Sequence, residues 1–296
     1  MAVLKRVIGD LRPLILGRWI MLLLVLAMSI GLKADEPAGE RLKVGLVLGG
    51  GGAKGAAEIG ALKVIEEVGI PIDYIAGTSI GSIVGGLYAM DVRSRQLDSL
   101  FVNQDWLQLF TNNVREFLGR VTHQKHFHEL RIPFRCVAAD VNANEEVVMS
   151  EGLLCDAMRA SMSIPGVFKP VIQNGRMLMD GGLLNNLPVD VVKAMGADVV
   201  IAIDLQQKQH KDREFSLKDL LGIDGPLNWL VERPDWKKYN ANRKAVDVYI
   251  HPMLDGFGAS DFNKTDIRQM IELGYEAGMK AREELIALKR RIYSGR

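Results

Sequence analysis

Two glycine-rich corners constrain the fold of this 296-residue chain more than any other feature of its sequence. The first, residues 49–55, follows the apolar run 43–48 and precedes residues 53–68, where apolar side chains recur at helical spacing. The second, residues 77–82, follows the strand-like run 72–76 and also leads into a helix-like segment. Each corner joins a strand to a helix, so the two units predict an α/β domain with a largely parallel sheet.

The first corner is suited to binding an anion, because consecutive glycines expose backbone N–H groups at a helix N-terminus. A phosphate loop, a dinucleotide fingerprint and an oxyanion hole are the competing interpretations. A phosphate loop needs Gly-Lys-Ser/Thr, whereas residues 53–55 are Ala-Lys-Gly. The spacing Gly50-x-Gly52-x-x-Gly55 fits a dinucleotide fingerprint, but that motif needs an acidic residue at the end of the next strand. Asp73 lies at the start of that strand, so an oxyanion hole is favoured.

The second corner has the spacing of a nucleophile elbow. Gly77-x-Ser79-x-Gly81 lies between a strand and a helix, where small flanking residues let the chain turn sharply and expose a hydroxyl. An ordinary N-cap is the alternative role for Ser79, since serine often occupies that position. The glycine cradle one strand-helix unit upstream favours the nucleophile, because acyl transfer needs both a nucleophile and oxyanion donors.

A serine nucleophile needs a base to accept its proton. Asp180 is the best candidate, since it ends a strand-like run and begins Asp180-Gly-Gly182, where glycines permit close approach of another backbone. Forming a turn before Gly181 is the alternative role for this aspartate. Of the five histidines, only His251, at the end of a predicted strand, is placed to complete a Ser-Asp-His order.

Taken together, the three motifs resemble the bacterial patatin-like phospholipases. The matching stretches, in chain order, are residues 50–55, 77–81, 132–140, 159–168, 180–182 and 185–190. The resemblance implies a three-layer α/β/α patatin-like fold with a largely parallel central sheet, in one domain over residues 41–291. The connector between Trp106 and His123 is shorter than is usual in related bacterial chains, which implies that a wall of the acyl pocket is either absent or rebuilt.

The resemblance also implies a Ser-Asp dyad without histidine, in which Ser79 attacks an ester carbonyl and Asp180 is the general base. A carboxylate with a pKa of about 4 is a weak base, so it gains by direct contact with the hydroxyl in a partly desolvated site. The implied oxyanion donors are the N–H groups of Gly50, Gly51 and Gly52. The implied supporting residues are Lys54, Gly55, Gly77, Gly81, Gly181 and Gly182.

The implied function is that of a serine esterase or phospholipase, with a lipid or lysolipid substrate at a membrane surface and with no cofactor and no metal. An acyltransferase is an alternative, because it forms the same acyl-enzyme and differs only in the acyl acceptor. The residues also leave open a non-catalytic lipid-binding protein of the same fold and a dinucleotide-dependent enzyme. The sequence does not separate phospholipids, lysophospholipids and neutral esters as substrates.

The N-terminus predicts export to the periplasm or association with a membrane. Four basic residues precede residues 20–32, an apolar run without charge that is too short to span a bilayer comfortably. Residues 1–34 therefore predict a signal peptide, and an uncleaved membrane anchor is the alternative because residues 14–17 can lengthen the apolar segment.

The rest of the composition fits one exported α/β domain. A chain of this length with 48% hydrophobic residues can bury a large core. Without residues 1–34 it carries 32 basic and 35 acidic residues, so no nucleic-acid partner is expected.

Cys136 and Cys155 are either bonded or buried as free thiols. The polar stretch 206–242 predicts either a lid facing a membrane or short helices on the sheet edge.

Overall fold

An eight-stranded sheet forms the centre of this computed structural model, which describes residues 41–106, 108–109, 114–207 and 236–294. The strands are β1 Val44–Leu48, β2 Tyr74–Thr78, β3 Phe134–Asp140, β4 Glu145–Met149, β5 Val171–Gln173, β6 Arg176–Asp180, β7 Val199–Ile203 and β8 Val248–Ile250. Their order is β5-β6-β3-β2-β1-β7-β8, and β4 also pairs with β3.

The strands β1, β2, β3, β7 and β8 are parallel, whereas β4, β5 and β6 add antiparallel pairs at one side of the sheet. The parallel centre agrees with its sequence, because β1 and β7 are apolar throughout and fully buried, as strands covered on both faces must be. The predicted, largely parallel sheet is therefore confirmed. The antiparallel direction of β6 was not predicted, and it determines the geometry of the site described below.

Helices cover both faces of the sheet, so the predicted three-layer α/β/α arrangement is confirmed. Side chains alternate along β1, which places Leu46 and Leu48 in the larger core and Val47 in a second core on the opposite face. The helices are α1 Ala56–Val68, α2 Ile80–Ala89, α3 Ser94–Asn103, α4 Val114–Val121, α5 Leu154–Ser161, α6 Val189–Ala194, α7 Trp236–Lys244, α8 Lys264–Lys280 and α9 Arg282–Tyr293. Helices α1, α2 and α8 contribute to the larger core, and α6 and α7 to the second.

Two predicted elements differ in the structure. The sequence also predicts a strand near residues 167–172, but in the structure the N–H groups of Val167 and Phe168 both donate to the carbonyl of Ile164. This turn, which contains Pro165 and Gly166, delays the strand until β5 begins. The sequence predicts one helix over residues 264–291, but the structure divides it into α8 and α9, which bury separate apolar residues in the larger core.

Several sequence predictions concern the ends and connectors of the chain. The predicted signal segment, residues 1–34, and most of the stretch 206–242 lie outside the described residues. The predicted domain limits, residues 41 and 291, stay a prediction. Cys136 and Cys155 are both free and buried, which answers the disulfide question. Within the described part of the chain, every helix is too short or too polar to cross a bilayer.

Candidate active site

Strands β2 and β6 meet end to end along the same edge of β3. Thr78, the last residue of β2, is in register with Val137, and Asp180, the last residue of β6, is in register with Ala138. The opposite edge of β3 is occupied there by β4. Because β6 is antiparallel to β3, its carboxyl end points at the carboxyl end of β2. Ser79 directly follows β2, so the topology brings it against Asp180.

This arrangement corrects one expectation. The sequence placed Asp180 at the carboxyl edge of a parallel sheet, beside the end of β2. It instead arrives on an antiparallel strand from the opposite direction, because β5 and β6 form a hairpin that returns toward the elbow. The convergence of the two side chains was predicted correctly, but the path of the chain was not.

Ser79 adopts a backbone conformation that is rare for a residue with a side chain. Its φ is 54° and its ψ is −123°, a conformation that costs about 1–3 kcal/mol. The Ser79 N–H donates to the Oγ of Ser161 at 2.9 Å, and that hydroxyl donates to the carbonyl of Val137 at 2.6 Å. Ser79 occupies the N-cap position of α2, but its side chain makes no capping hydrogen bond there. Strain held by a buried partner is typical of a nucleophile elbow.

The elbow depends on close backbone contacts that only glycine allows. A Cβ atom on Gly77 would lie 2.3 Å from the carbonyl oxygen of Gly81. A Cβ atom on Gly81 would lie 2.4 Å from the carbonyl oxygen of Leu48. The sequence motif Gly77-x-Ser79-x-Gly81 therefore records two places where the chain passes directly against backbone.

The hydroxyl of Ser79 donates to Oδ2 of Asp180 at 2.6 Å. The other carboxyl oxygen, Oδ1, accepts the N–H of Gly182 at 2.8 Å, which fixes the orientation of the carboxyl group. Ser79 is 5% exposed and Asp180 is 1% exposed. Burial raises the pKa of Asp180 to about 7, although the hydrogen bonds from Ser79 and Gly182 oppose this change. A base with this pKa can accept the serine proton near neutral pH.

The glycine-rich corner lies directly against the elbow. A Cβ atom on Gly50 would lie 3.2 Å from the Cβ of Ser79. From the sequence, the Gly50 N–H is expected to be an oxyanion donor. In the structure it donates to the carbonyl of Asn186 at 3.2 Å, so in this conformation it is not available for that role. The N–H groups of Gly51 and Gly52 make no hydrogen bond within the described residues, and these two amides remain as donors.

The remaining predicted residues lie in the first glycine-rich corner and in the turn that follows β6. A Cβ atom on Gly181 would lie 2.2 Å from the carbonyl oxygen of Val137, so the turn after β6 is packed directly on β3. Lys54 and Gly55 lie in the 3-10 turn Gly52–Gly55, and Gly182 lies in the 3-10 turn Gly181–Leu183.

Two residues without a role in the sequence analysis hold the site together. Asn186 binds the glycine corner twice, because its carbonyl accepts the Gly50 N–H and its Nδ2 donates to the Gly50 carbonyl at 3.2 Å. Ser161 holds the strained Ser79 N–H. Both lie in stretches that carried the family resemblance, 159–168 and 185–190, but the sequence gives no sign of which backbone group each side chain contacts.

His251 is not part of this site. It follows β8, which is three strands away from β2 in the sheet, or about 14 Å at the usual strand spacing. Its Nδ1 lies 3.0 Å from the carbonyl oxygen of Asp204, and its ring is stacked on Tyr249. The Ser-Asp-His order suggested by the sequence is therefore wrong for these residues.

The first expected result follows from that placement. We expect His251→Ala to retain ester hydrolysis within about threefold of the unchanged protein, because the histidine contacts neither Ser79 nor Asp180. Initial rates on a soluble ester, with circular dichroism as a check on folding, measure this. A folded His251→Ala variant without activity would contradict the dyad.

Metal-ligating side chains are not clustered in the part of the chain that the structure describes. Over these ranges, no group of three or more histidine, cysteine, aspartate and glutamate side chains is arranged to bind a metal ion. The absence of a metal and of a cofactor from the function stays a prediction from the sequence.

The geometry defines a class of protein: an α/β fold in which a strained serine on a nucleophile elbow is paired directly with a buried carboxylate. Residues 46–193 match the model of the Patatin-like phospholipase family, and the chain belongs to this family.

Relatives and solved structures extend this comparison. "Patatin-like phospholipase domain-containing protein 6" of Mus musculus is 31% identical over 285 residues, which cover 79% of this chain and 20% of the relative. "Lysophospholipase nte1" of Aspergillus fumigatus is 29% identical, with 82% of this chain and 18% of the relative covered. The chain thus spans about a fifth of the length of these relatives. Both are eukaryotic, so the bacterial affiliation stays a prediction.

Two solved structures are similar at low sequence identity. VipD from Legionella pneumophila has a TM-score of 0.47 and 12% identity, with 82% of this chain and 67% of that chain covered. Human GIVD cytosolic phospholipase A2 has a TM-score of 0.47 and 14% identity, with 92% of this chain and 62% of that chain covered.

A second buried acid, Glu58, lies in the first turn of α1, just after the glycine corner. It is fully buried, and neither of its carboxyl oxygens has a hydrogen-bond partner among the described residues. Burial, and then the charge of Asp204, raise the pKa of Glu58 well above its ordinary value. The N–H of Gly49, which opposes this by lowering the pKa of Glu58, donates to the carbonyl of Ile203.

The raised pKa of Glu58 makes the stability of the protein depend on pH. The folded protein favours a neutral Glu58, whereas the unfolded chain releases the proton at lower pH. Stability should therefore fall as the pH rises above the ordinary value for glutamate.

Replacing this acid should stabilise the protein. We expect Glu58→Met to raise the free energy of unfolding by about 1–3 kcal/mol at pH 8, because it removes an unsatisfied buried carboxyl group. The gain should be smaller at pH 5, where the unfolded chain also holds more of its protons. Urea denaturation at both pH values measures it, with the exposed Glu284→Met as the control. A loss of stability at pH 8 would contradict the account of Glu58 as an unsatisfied buried acid.

Proposed function

We propose that this protein is a serine lipid acyl hydrolase, of the phospholipase, lysophospholipase or esterase type, that uses a Ser79–Asp180 dyad. The observation that carries the proposal is the 2.6 Å hydrogen bond between the strained serine and a buried carboxyl group whose pKa is about 7. A hydroxyl group in this contact can lose its proton directly to the carboxylate as it attacks. The family membership and the names of the relatives support a lipid ester as the substrate.

The proposed reaction has two halves. Oγ of Ser79 attacks the ester carbonyl while its proton passes to Oδ2 of Asp180. The N–H groups of Gly51 and Gly52 stabilise the negative oxygen of the tetrahedral intermediate, and such a donor contributes about 3 kcal/mol in other enzymes. Asp180 then protonates the leaving alcohol, which leaves an acyl group on Ser79. Water, deprotonated by Asp180, releases the fatty acid and restores the serine.

We further propose that the protein is exported and acts at a membrane surface. The charged and then apolar segment at residues 1–34 supports export. Exposed apolar side chains at Val167, Ile172 and Met253 support contact with lipid, because such residues favour an interface. Binding to anionic and to neutral vesicles, followed by sedimentation, tests the second part of this proposal.

A lipid panel tests the proposed function directly. Phospholipids, lysophospholipids and neutral glycerides are incubated with the unchanged protein and with Ser79→Ala, and the products are identified by mass. Release of free fatty acid only by the unchanged protein supports hydrolysis. Transfer of the acyl group to an added alcohol or lysolipid without free fatty acid would identify an acyltransferase. Binding of lipid without any product would identify a non-catalytic protein.

A further inference from the structure

The segment that supports the dyad also carries a half-buried arginine. At the carboxyl end of α5, the Ser161 hydroxyl accepts the Ser79 N–H, and two residues later the Ser163 carbonyl accepts the Asp180 N–H at 3.0 Å. Arg159 lies in the last turn of the same helix, and its Nη1 donates to Oγ of Ser163 at 2.5 Å. The guanidinium group therefore touches the residue whose backbone holds the catalytic aspartate.

The contacts of Arg159 orient it but leave its charge uncompensated. Its Nη2 donates to the carbonyl of Lys169 at 3.2 Å, and its guanidinium carbon lies 5.0 Å from the centre of the Phe168 ring. No carboxylate within the described residues forms an ion pair with it. Burial lowers the pKa of Arg159, which is the direction expected for a cation without a compensating anion.

The carboxylate of Asp180 does not compensate the positive charge of Arg159. The pKa of Asp180 responds to burial and to hydrogen bonds from Ser79 and Gly182, with no contribution from Arg159. Arg159 is thus linked to Asp180 through Ser163 without compensating its carboxylate. A planar guanidinium group with unused N–H donors is suited to bind the oxygens of a phosphate.

Residues 167–172, a segment that contacts Arg159 through the Phe168 ring and the Lys169 carbonyl, have the composition of a lipid-facing surface. Lys169 is exposed and adds a second positive charge on the same segment. Val167 is 41% exposed and Ile172 is 66% exposed. Apolar side chains beside basic ones are typical of residues that meet both the acyl chains and the phosphates of lipids.

We propose that Arg159, assisted by Lys169, binds the phosphate of a phosphorylated lipid substrate and makes the site select such esters over neutral ones. The inference rests on the proposed acyl hydrolase function. In this role Arg159 is a specificity residue, which holds the substrate without taking part in the proton transfer between Ser79 and Asp180.

Two substrates that share one acyl ester test the proposal. These are 1-oleoyl lysophosphatidylcholine and 1-monooleoylglycerol, which differ only in the phosphocholine group. Arg159→Gln should lower kcat/KM for the first by about 10- to 100-fold, mainly through KM, and leave the second within about threefold. Arg159→Lys, which keeps the charge, should recover part of the loss. The control is Arg176→Gln, which removes an exposed charge at the far end of β6, about 13 Å from Asp180.

The outcomes separate this inference from the proposed function. Equal losses on both substrates, or no loss on either, would overturn the role of Arg159 and leave the hydrolase intact. If the unchanged protein hydrolyses only the glyceride, the role of Arg159 would likewise be overturned and the hydrolase would stand. Failure of the unchanged protein on these two substrates and on every lipid of the panel above would overturn the proposed function and the inference with it.

A second variant covers the case in which Arg159→Gln does not fold. Lys169→Gln changes an exposed side chain and keeps the backbone carbonyl that accepts the hydrogen bond from Arg159 Nη2. It should lower kcat/KM for the lysophospholipid by about two- to fivefold and leave the glyceride unchanged. If a folded Lys169→Gln variant hydrolyses both substrates at the rates of the unchanged protein, the result would count against a phosphate site.

Discussion

Replacing Ser79 with alanine is expected to reduce the hydrolysis of lipid esters by at least about 10⁴-fold, because Asp180 contacts no other nucleophile in the part of the chain that the structure describes. Asp180 Oδ2 accepts its hydrogen bond from the Ser79 hydroxyl, and Oδ1 is occupied by the N–H of Gly182. The alanine variant keeps the donors of the glycine corner but loses the atom that carries the acyl group. Fatty acid release, followed by mass spectrometry, measures the loss.

The structure of this variant should be unchanged. Alanine is smaller than serine and keeps the backbone N–H that donates to Ser161, although the positive φ remains strained. Ser99→Ala, which changes an exposed serine of α3, is the matched control and should retain full activity. Residual activity above a few per cent in a folded Ser79→Ala variant would show that another residue is the nucleophile.

The second large effect is expected for Asp180→Asn, which should lower kcat/KM by about 10²- to 10⁴-fold, the range of general base catalysis. Asparagine has nearly the same shape, and its carbonyl oxygen can still accept the Gly182 N–H. It cannot accept the serine proton. The loss should appear in kcat as well as in kcat/KM, because the base acts in the chemical step.

The pH dependence of activity in the unchanged protein independently tests Asp180 as the general base. Burial raises the pKa of Asp180 to about 7, and only the ionised carboxylate can act as the base. Activity should therefore rise as the pH increases through about 7 and reach a plateau above it. In Asp180→Asn the remaining activity should not show this step. A profile that is flat between pH 5 and 9 in the unchanged protein would contradict the assignment.

The pH dependence of protein stability provides a second test of the raised pKa of Asp180. A carboxyl group whose pKa is higher in the folded protein than in the unfolded chain contributes stability at low pH, and this contribution is lost as the pH rises through about 7. Asp180→Asn should therefore unfold with less dependence on pH in this range. The exposed Asp255→Asn should change neither activity nor stability. An Asp180→Asn variant that fails to fold would show that the carboxyl group is needed for structure.

Much of the fold was predictable because its signals are local. The apolar runs of β1 and β7 are continuous, as required of strands buried on both faces, and the glycines mark the corners at which the chain turns. The residues of the dyad were predicted from the spacing around Ser79 and from the Asp-Gly-Gly triplet at Asp180. Their contact was expected because Ser79 follows a strand and Asp180 ends one, and the register of β2 and β6 on β3 provides it.

The remainder depends on contacts that are distant in the sequence. The direction of β6 follows from its pairing with β5 and β3, which alternation of side chains does not reveal. The engagement of the Gly50 N–H depends on a carbonyl group 136 residues later, at Asn186. The exclusion of His251 depends on the order of strands in the sheet, since the sequence places it only after Asp180.

The most direct test of the dyad is the rate at which a fluorophosphonate labels the protein, located by mass spectrometry of its peptides. We predict a single adduct on the peptide that contains Ser79, formed faster as the pH rises through about 7, and slowed at least about 100-fold in folded Asp180→Asn. An adduct on a different residue, or an unchanged rate in folded Asp180→Asn, would contradict the dyad.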